Sequence, residues 1–316
     1  MRNRRVCVVG GSGFIGRYVV KRLAARGAVV SVVSRHASEA QFLQPMGDVG
    51  QIALIDAGLA DETALAAALE GASAVVSSVG ILYERGRQRF PLLHVEGPAR
   101  LARLAAAAGA KHFVHVSALS ADARAASAYA RSKAEGEAAV KAAFATATIL
   151  RPSLVFGPED DFFNRFGAMA RMSPALPLVG GGTTRFQPVY VGDVADAVMA
   201  ALELPEAEGK TYELGGPEVL SFRALMELLL AEIGRRRMLV PLPWGLASLA
   251  AFFVGFMPKP MLTRDQVKLL QKNTVVTPGA PGLADLGITP TALELILPTY
   301  LNRFRPGGRA SLRPAV

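Results

Sequence analysis

Short apolar runs alternate with longer segments of helical character along the first half of the chain. The runs span four to six residues and occur at 6–9, 28–33, 52–55, 74–77, 112–116 and 147–150. Short continuous runs of this kind fit strands that are buried on both faces of a parallel sheet. Between them lie segments of helical length, most of them rich in alanine, at about 14–26, 61–70, 96–108 and 129–143. This alternation predicts an α/β fold with a doubly wound parallel sheet.

The alternation weakens after Gly157. Residues 158–183 are rich in Phe, Met, Pro and Gly and are predicted to be irregular. Three later segments, 187–191, 193–204 and 211–214, predict a strand, a helix and a last strand. From there the pattern is mostly helical, with loops rich in Pro and Gly. The predicted organisation is a first domain of 1–157 plus 184–216, a smaller, mostly helical lobe of 158–183 plus 217–302, and a basic tail, 303–316.

Three glycines follow the first strand at the spacing Gly10-x-x-Gly13-x-x-Gly16, and a helix opens directly after them. The first glycine permits a tight turn, the second lets a pyrophosphate approach the backbone, and the third lets the helix pack close to the sheet. The helix N-terminus offers N–H groups and positive dipole charge to phosphates. The motif predicts a Rossmann-type dinucleotide site formed by Gly10, Ser12, Gly13, Phe14, Ile15 and Gly16.

The end of the second strand bears on the choice of cofactor. Sites for NAD usually place an acid there for the ribose 2′-hydroxyl, whereas this strand ends Val33-Ser34-Arg35-His36. Arg35 can grip a 2′-phosphate with its planar guanidinium, and Ser34 can add a hydrogen bond, so NADP(H) is favoured over NAD(H). We expect Asp56, after the third strand, to meet the adenine amino group, and Ser78, Val79 and Gly80 to line the nicotinamide ribose.

Tyr129 and Lys133 begin a predicted helix at a spacing of four residues, which places both side chains on one helical face. An ammonium group beside a phenol favours the phenolate and lowers its pKa from about 10. Such a tyrosine could act as a general acid or base near neutral pH. The lysine could also hold the nicotinamide ribose.

With these motifs the sequence resembles the short-chain dehydrogenase/reductase superfamily, in its extended or atypical branches. His94-Val95-Glu96-Gly97, the run from Leu150 to Pro158 and the run from Pro188 to Val194 agree with that resemblance. It implies that Tyr129 and Lys133 are catalytic and that Pro152 lies at the cofactor. Active members carry a Ser or Thr after the fifth strand. That position holds Ala118 here. The candidate for the catalytic hydroxyl is therefore Ser117, which stands one residue before it, where a strand turns its side chain the other way.

Several stretches outside the common motifs resemble one branch of this superfamily, namely the NADP(H)-binding accessory subunits of respiratory complex I and their bacterial relatives. They include 44–51, 262–267 and 282–288. The resemblance implies tight NADP(H) binding without turnover, a structural role for the nucleotide, and complex I subunits as partners. It also implies that the arginine ending the second strand, here Arg35, contacts the 2′-phosphate.

Charge and composition narrow the function classes. The formal net charge is +9, from 35 basic and 26 acidic residues, yet basic residues are not interleaved with aromatics, so we expect no nucleic-acid partner. One cysteine, Cys7, excludes a disulfide framework, and four scattered histidines predict no metal site. The first strand begins at about Arg5, so we expect no targeting segment. The Ala- and Arg-rich composition is typical of a bacterial chain.

An apolar run, 244–257, carries no charge and is flanked by basic residues, Arg235 to Arg237 and Lys259. It is shorter than the roughly 20 residues that a spanning helix needs. It predicts either a core helix of the smaller lobe or an interfacial helix in peripheral contact with a membrane. We therefore expect a cytoplasmic protein, with peripheral attachment to the cytoplasmic face of the inner membrane as the alternative.

Three hypotheses for function remain open at this point. The first is an accessory or assembly subunit of complex I with NADP(H) as a structural ligand. The second is an active NADP-dependent oxidoreductase or epimerase/dehydratase that uses Tyr129 and Lys133. The third is a sensor of the NADP(H) redox state, which requires that the two redox forms differ in affinity or in the conformation they favour.

Overall fold

A computed structural model describes residues 1–255, 260 and 262–308 of the chain. Within these residues the strands are β1 Arg5–Val9, β2 Val29–Ser34, β3 Ile52–Asp56, β4 Ala74–Ser77, β5 His112–Val116, β6 Thr148–Pro152, β7 Val155–Phe156, β8 Ala175–Val179, β9 Arg185–Phe186, β10 Val189–Tyr190, β11 Thr211–Leu214, β12 Leu220–Ser221 and β13 Met238–Leu242. The helices are α1 Phe14–Ala25, α2 Glu62–Leu69, α3 Gly97–Ala107, α4 Ala128–Ala143, α5 Phe162–Met172, α6 Val191–Glu203, α7 Phe222–Glu232, α8 Trp244–Val254, α9 Arg264–Leu269 and α10 Leu293–Leu301. Residues 256–257 of the apolar run and 309–316 of the predicted basic tail lie outside the described residues.

The main sheet has seven strands in the order β3-β2-β1-β4-β5-β6-β11, and every pair in it is parallel. In β1, residues Val6 to Val9 are at most 2% exposed, as expected for strands covered on both faces. The strand order reverses between β1 and β4, which creates a crevice at the carboxyl ends of these strands. The predicted doubly wound parallel sheet is confirmed.

Helices cover both faces of this sheet. Alternate strand residues such as Cys7, Val9 and Phe113 pack against apolar residues of α2, α3 and α4. The intervening residues Val8 and Val32 adjoin Val20 of α1, and α1 packs against α6. The alternation of side chains along each strand therefore builds two hydrophobic layers from one set of apolar runs.

The chain divides into two compact units. The first unit contains residues 1–152, 191–214 and 277–289, and the second contains the remaining described residues. Residues 277–289 join the first unit along β11, where Glu213 donates its N–H to the Pro281 carbonyl at 2.8 Å and its carboxylate accepts the Thr277 N–H at 2.7 Å. The sequence pattern predicts this segment as part of the smaller lobe, because a polar edge contact of this kind has no signature in the local pattern.

The second unit contains regular structure in the segment predicted to be irregular. Residues 162–172 form α5, with Phe163 and Ala170 fully buried. Residues 175–179 form β8, which pairs in parallel with β13 about sixty residues further on. The predicted strand at 187–191 is observed only as the short β10, Val189–Tyr190, and α6 begins at Val191. The prediction missed β8 because this strand contains a proline and depends on a distant partner.

Candidate functional site

The glycine loop has the geometry of a phosphate-binding turn. Gly10 adopts a φ of +85°, and the Gly13 N–H donates to the Gly10 carbonyl at 3.0 Å. A Cβ on Gly16 would lie 2.2 Å from the Gly10 carbonyl oxygen, so only glycine allows α1 to pack this close. No side chain caps the N-terminus of α1, and its first N–H groups have no intrahelical acceptor. The loop therefore leaves a cradle of backbone donors that fits a pyrophosphate.

A cavity of about 390 Å³ lies over this loop at the carboxyl ends of β1, β2 and β4. Eight of the predicted cofactor residues line it: Gly10, Ser12, Gly13, Ser34, Arg35, Ser78, Val79 and Gly80. These strands are neighbours in the sheet, so residues that are distant in sequence meet at one edge.

The other predicted cofactor residues do not line this cavity. Phe14, Ile15 and Gly16 lie in the first turn of α1, behind the loop. Asp56 ends β3 with an exposed side chain, and Ala57 and Leu59 line the wall in its place. Pro152 ends β6, two strands away from β4. Tyr129 and Lys133 approach from α4.

Arg17 and Phe42 also line the cavity, and neither is among the residues that the sequence motifs predict for the site. Arg17 donates from Nη2 to the Ser12 carbonyl at 3.2 Å and from Nε to the Gly13 carbonyl at 3.3 Å. Its guanidinium carbon lies 4.7 Å from the Phe42 ring centroid. Ser12 and Ser34 are joined through their hydroxyls at 2.9 Å. Arg17 lies four residues after Gly13, a spacing that could have indicated a contact with the loop.

Lys133 reaches the cavity wall from α4, which Ser127 caps at its N-terminus. Its Nζ donates to the Val116 carbonyl at 3.2 Å. A Cβ on Gly80 would lie 3.6 Å from the same Nζ. Lys133 is 4% exposed, so its ammonium is buried beside the Ser78–Gly80 end of the cavity.

The pKa of Tyr129 shifts in the direction opposite to the prediction. Burial raises the pKa of this phenol to about 12, because it penalises the charged phenolate. Burial lowers the pKa of Lys133 to about 8, and the nearby charge of Glu137 offsets part of that shift. The phenol therefore keeps its proton at neutral pH. Desolvation, which the sequence pattern does not reveal, outweighs the expected effect of the lysine charge on the phenol pKa.

His94 forms hydrogen bonds that connect the cavity wall to α4, the helix that carries Tyr129. It lies in a π-helical turn, Pro91–Glu96, and its Nε2 accepts the Ile81 N–H at 3.1 Å. The proton is therefore assigned to Nδ1, which lies 2.9 Å from the Ser132 hydroxyl, and Ser132 donates to the Tyr129 carbonyl at 2.8 Å. Burial lowers the pKa of His94 to about 3, so the ring is neutral. The motif His94-Val95-Glu96-Gly97 is the sequence feature that could have indicated a site role for this histidine.

Ser117 does not line the cavity. Its hydroxyl is buried and has no hydrogen-bond partner among the described residues, although its N–H donates to the Leu150 carbonyl at 2.7 Å. His115, two residues earlier in β5, directs Nδ1 to the Ser77 hydroxyl at 3.2 Å, and burial lowers its pKa well below the usual value. Ser117 is thus buried at the end of β5 and away from the described cavity.

Helix α8 in the second unit is apolar on both sides but buried on only one. Ala247 and Ala251 pack into the core, whereas Leu246, Leu249 and Phe253 are 57%, 56% and 65% exposed. No helix among the described residues is long and apolar enough to cross a membrane. The described residues also contain no group of three or more His, Cys, Asp or Glu side chains that could hold a metal ion.

Residues 6–215 match the NAD dependent epimerase/dehydratase family. The chain therefore belongs to this family, within the short-chain dehydrogenase/reductase superfamily that its motifs resemble.

The matching relatives define a narrower group. NADH dehydrogenase (ubiquinone) 1 alpha subcomplex subunit 9, mitochondrial, of Arabidopsis thaliana is 36% identical over 313 residues, which cover 95% of this chain and 78% of that protein. The protein of the same name from Mus musculus is 36% identical over 94% of this chain and 80% of its own length. The solved structure of MoeE5 in complex with UDP-glucuronic acid and NAD has a TM-score of 0.70 at 22% identity, over 94% of this chain and 97% of that one, which supports the fold.

Proposed function

We propose that this protein is an accessory or assembly subunit of NADH:ubiquinone oxidoreductase, respiratory complex I, and that it binds NADP(H) mainly as a structural ligand. The observation that carries the proposal is the 36% identity to subunit 9 from a plant and a mammal over at least 94% of this chain. The similarity extends well beyond residues 6–215, the part that matches the whole family. The partners proposed are therefore other subunits of that complex.

The choice of NADP(H) over NAD(H) is supported by the rim of the cavity at the end of β2. Arg35 lies there with an exposed side chain, and Ser34 is hydrogen-bonded to Ser12 of the phosphate loop. No acid follows β2 directly, although Glu39 lines the cavity further along. Arg35 and Ser34 would hold the 2′-phosphate through charge-assisted hydrogen bonds, and the Gly10–Gly13 turn would hold the pyrophosphate.

A structural role for the nucleotide is supported by the environment of the tyrosine and the serine. The phenol of Tyr129 has a raised pKa, Ala118 stands at the position of the family's catalytic hydroxyl, and Ser117 does not line the cavity. A ligand that binds only the folded state stabilises it by about 2.7 kcal/mol at a hundredfold excess over Kd. That magnitude is enough to make the folded population of a marginally stable protein depend on its nucleotide.

The test is co-migration with the respiratory complex. Native membranes are solubilised gently, the complexes are separated by size, and the fractions are probed for this chain and for NADH dehydrogenase activity. Stoichiometric co-migration is the expected result, and migration only as a small free species would contradict the proposal. A Gly13→Val variant tests the role of the nucleotide, because its side chain would occupy the phosphate cradle, where an added Cβ would lie 3.1 Å from the Gly10 carbonyl oxygen, and less co-migration is expected for it.

An active NADP-dependent oxidoreductase or epimerase/dehydratase remains the second candidate. The observation in its favour is that Tyr129 and Lys133 share α4 and that Lys133 adjoins Gly80 at the cavity wall. Under this alternative, Tyr129→Phe abolishes turnover and leaves nucleotide binding nearly intact. A broad substrate screen in which bound NADPH is never oxidised would eliminate it.

We also propose peripheral membrane contact through the exposed face of α8, on the cytoplasmic face of the inner membrane. Exposed Leu246, Leu249, Phe252 and Phe253 supply apolar area. The surrounding stretch 233–276 carries seven basic residues and one acid, Asp265. Arg264 lies 6.0 Å from the Phe252 ring centroid, and exposed apolar side chains in a basic stretch of chain suit an anionic lipid surface.

A further inference from the structure

The chain between β4 and α3 forms a loop, residues 81–94, whose two arms are joined by hydrogen bonds. At its base the Ile81 N–H donates to Nε2 of His94 at 3.1 Å. Further along, the Phe90 N–H donates to the Glu84 carboxylate at 2.8 Å. Because each of these contacts joins the outgoing arm to the returning arm, the loop is held in a defined shape.

The tip of this loop is a two-residue turn of the β-hairpin type. The Arg85 N–H donates to the Gln88 carbonyl at 2.9 Å, and the Gln88 N–H donates to the Arg85 carbonyl at 2.8 Å. Gly86, the first of the two residues between them, has a φ of +53°, a value that glycine adopts readily and that such turns place at this position. Arg87 is the second, and its side chain is exposed.

The outer part of this loop, residues 82–92, carries an excess of positive charge and is called the arginine hairpin below. Arg85, Arg87 and Arg89 are exposed, and Glu84 is the one acid among these residues. One oxygen of Glu84 accepts a backbone N–H of the hairpin, and the other lies 3.7 Å from Nη1 of Arg89. Arg87 has no ion pair or hydrogen bond within the part of the chain that the structure describes. The charge at the tip is therefore not neutralised within the hairpin.

Two leucines mark the ends of the arginine hairpin. Leu82 and Leu92 are 46% and 44% exposed. The hairpin contains three arginines and no lysine. Protein interfaces are enriched in arginine and depleted in lysine, and the planar guanidinium binds a carboxylate through two parallel hydrogen bonds. Exposed arginines between exposed leucines are thus the composition of a surface that binds another protein.

We propose that the arginine hairpin is a docking surface for an acidic segment of a neighbouring protein subunit. Arg85 and Arg87 pair with carboxylates of that segment, and the two leucines contact apolar side chains beside them. Two leucines offer less apolar area than the exposed face of α8, so the hairpin suits a protein partner better than a lipid surface. This inference rests on the proposed function, because the partner is taken to be a subunit of the respiratory complex.

The tip of the hairpin is separate from the nucleotide site. Gly80 and Leu93, which flank the loop in sequence or lie at its base, line the cavity, whereas Arg85 and Arg87 do not. Charge reversal at the tip should therefore leave the affinity for NADPH unchanged. The Kd of NADPH, measured on the full chain by calorimetry, thus reports correct folding independently of docking.

The experiment is a competition between the wild-type protein and a variant that carries Arg85→Glu and Arg87→Glu. The two are produced together with different epitope tags, native membranes are solubilised gently, and the tag ratio in the complex is compared with the ratio in the whole extract. The variant should be depleted from the complex about tenfold, because each reversed charge repels a carboxylate of the partner. The matched control carries Arg103→Glu and Arg124→Glu, which make the same change of charge at two other exposed arginines, and should not be depleted.

A photo-crosslinking amino acid at position 87 identifies what the tip contacts in native membranes. The expected product joins this chain to another subunit of the complex, at a peptide that contains Asp or Glu. A product with lipid, or with a peptide that carries no acid, overturns the inference.

The outcomes separate this inference from the proposed function. If the wild-type protein itself does not co-migrate with the complex, the proposed function fails. If the wild-type protein co-migrates and the hairpin variant enters the complex equally well, the proposed function stands and the docking surface is overturned. Loss of NADPH binding in the hairpin variant also overturns it, since the tip would then belong to the nucleotide site.

Discussion

The contact between α4 and the His94 turn allows a sharp test of how the site is built. Gly136 lies in the middle of α4, and a Cβ added there would lie 1.9 Å from the His94 carbonyl oxygen. Since Cβ atoms essentially never come within 3.0 Å of such an atom, Gly136→Ala must separate the two elements by about 1.1 Å. Both elements carry site residues, Tyr129 and Lys133 on one side and His94 on the other, so the displacement reaches the cavity wall.

The expected magnitude is a balance of two opposed effects. Replacing glycine by alanine inside a helix is favourable by about 1 kcal/mol. Forced overpacking against backbone typically costs about 1–3 kcal/mol, and occasionally more. Because a backbone carbonyl cannot rotate away as a side chain can, we expect the cost to exceed the gain, with net destabilisation of about 1–2 kcal/mol. NADPH affinity should decrease as well, since the His94, Ser132 and Tyr129 hydrogen bonds are strained together.

The assay is urea unfolding followed by far-UV circular dichroism, with Gly245→Ala as the matched control. Gly245 is also helical, in α8, but a Cβ there would meet no atom within 4 Å. The control should therefore unfold at the same or higher urea concentration than the wild-type protein, and Gly136→Ala at a lower one. If Gly136→Ala is as stable as the control and binds NADPH normally, the close packing of α4 on the His94 turn does not constrain the site as argued.

Three further predictions concern the cofactor, the buried lysine and the membrane. Arg35→Gln should weaken NADPH binding about 10- to 100-fold and leave NADH binding nearly unchanged. The control is Arg103→Gln, because Arg103 is also exposed. Equal losses of affinity for both nucleotides would contradict a contact between Arg35 and the 2′-phosphate. In nucleotide-free protein, the folded-state pKa of Lys133 is about 8 against 10.5 in the unfolded chain, so the unfolded state binds more protons between those values. The stability of the wild-type protein relative to Lys133→Met should therefore rise by about 3 kcal/mol as pH increases through that window, measured by urea unfolding, and a flat difference would argue against the burial. Phe253→Ser should reduce flotation with vesicles of anionic lipid several-fold, and equal binding of the wild-type protein to neutral vesicles would show that the basic residues near α8 in the sequence have no part.

The environment of Tyr129 bears on the proposal that this reductase-like fold serves as a binding protein. A tyrosine–lysine pair on one helical face is an acid/base device only when the phenol can exchange its proton near neutral pH. Here burial raises the phenol pKa to about 12, and the lysine donates to a backbone carbonyl. The same burial surrounds Lys133, whose ammonium adjoins Gly80 at the cavity wall.

Local sequence determined the architecture of the first unit and the core of its site. The apolar runs predict β1 to β6 because strands buried on both faces must be apolar at successive positions. The Gly10, Gly13 and Gly16 spacing predicts the phosphate loop, since the requirements for a tight turn and close packing act within seven residues. Ser34, Arg35 and Ser78 to Gly80 could be assigned because the ends of parallel strands meet at one edge.

Only the tertiary structure decided the features that depend on distant partners. Strand β8 exists because β13 pairs with it about sixty residues later, and Arg17 is held against Phe42 by the path of the 310 segment Ala37–Met46. The neutral state of His94 and the raised pKa of Tyr129 follow from desolvation, which depends on everything packed around each group and has no periodic signal. Apolarity alone did not show which side of α8 is buried, because the helix is apolar all round and only the packing of Ala247 and Ala251 distinguishes its faces. Patterns thus determined the elements whose causes are local, and three-dimensional packing determined the charge states and contacts on which the proposed function depends.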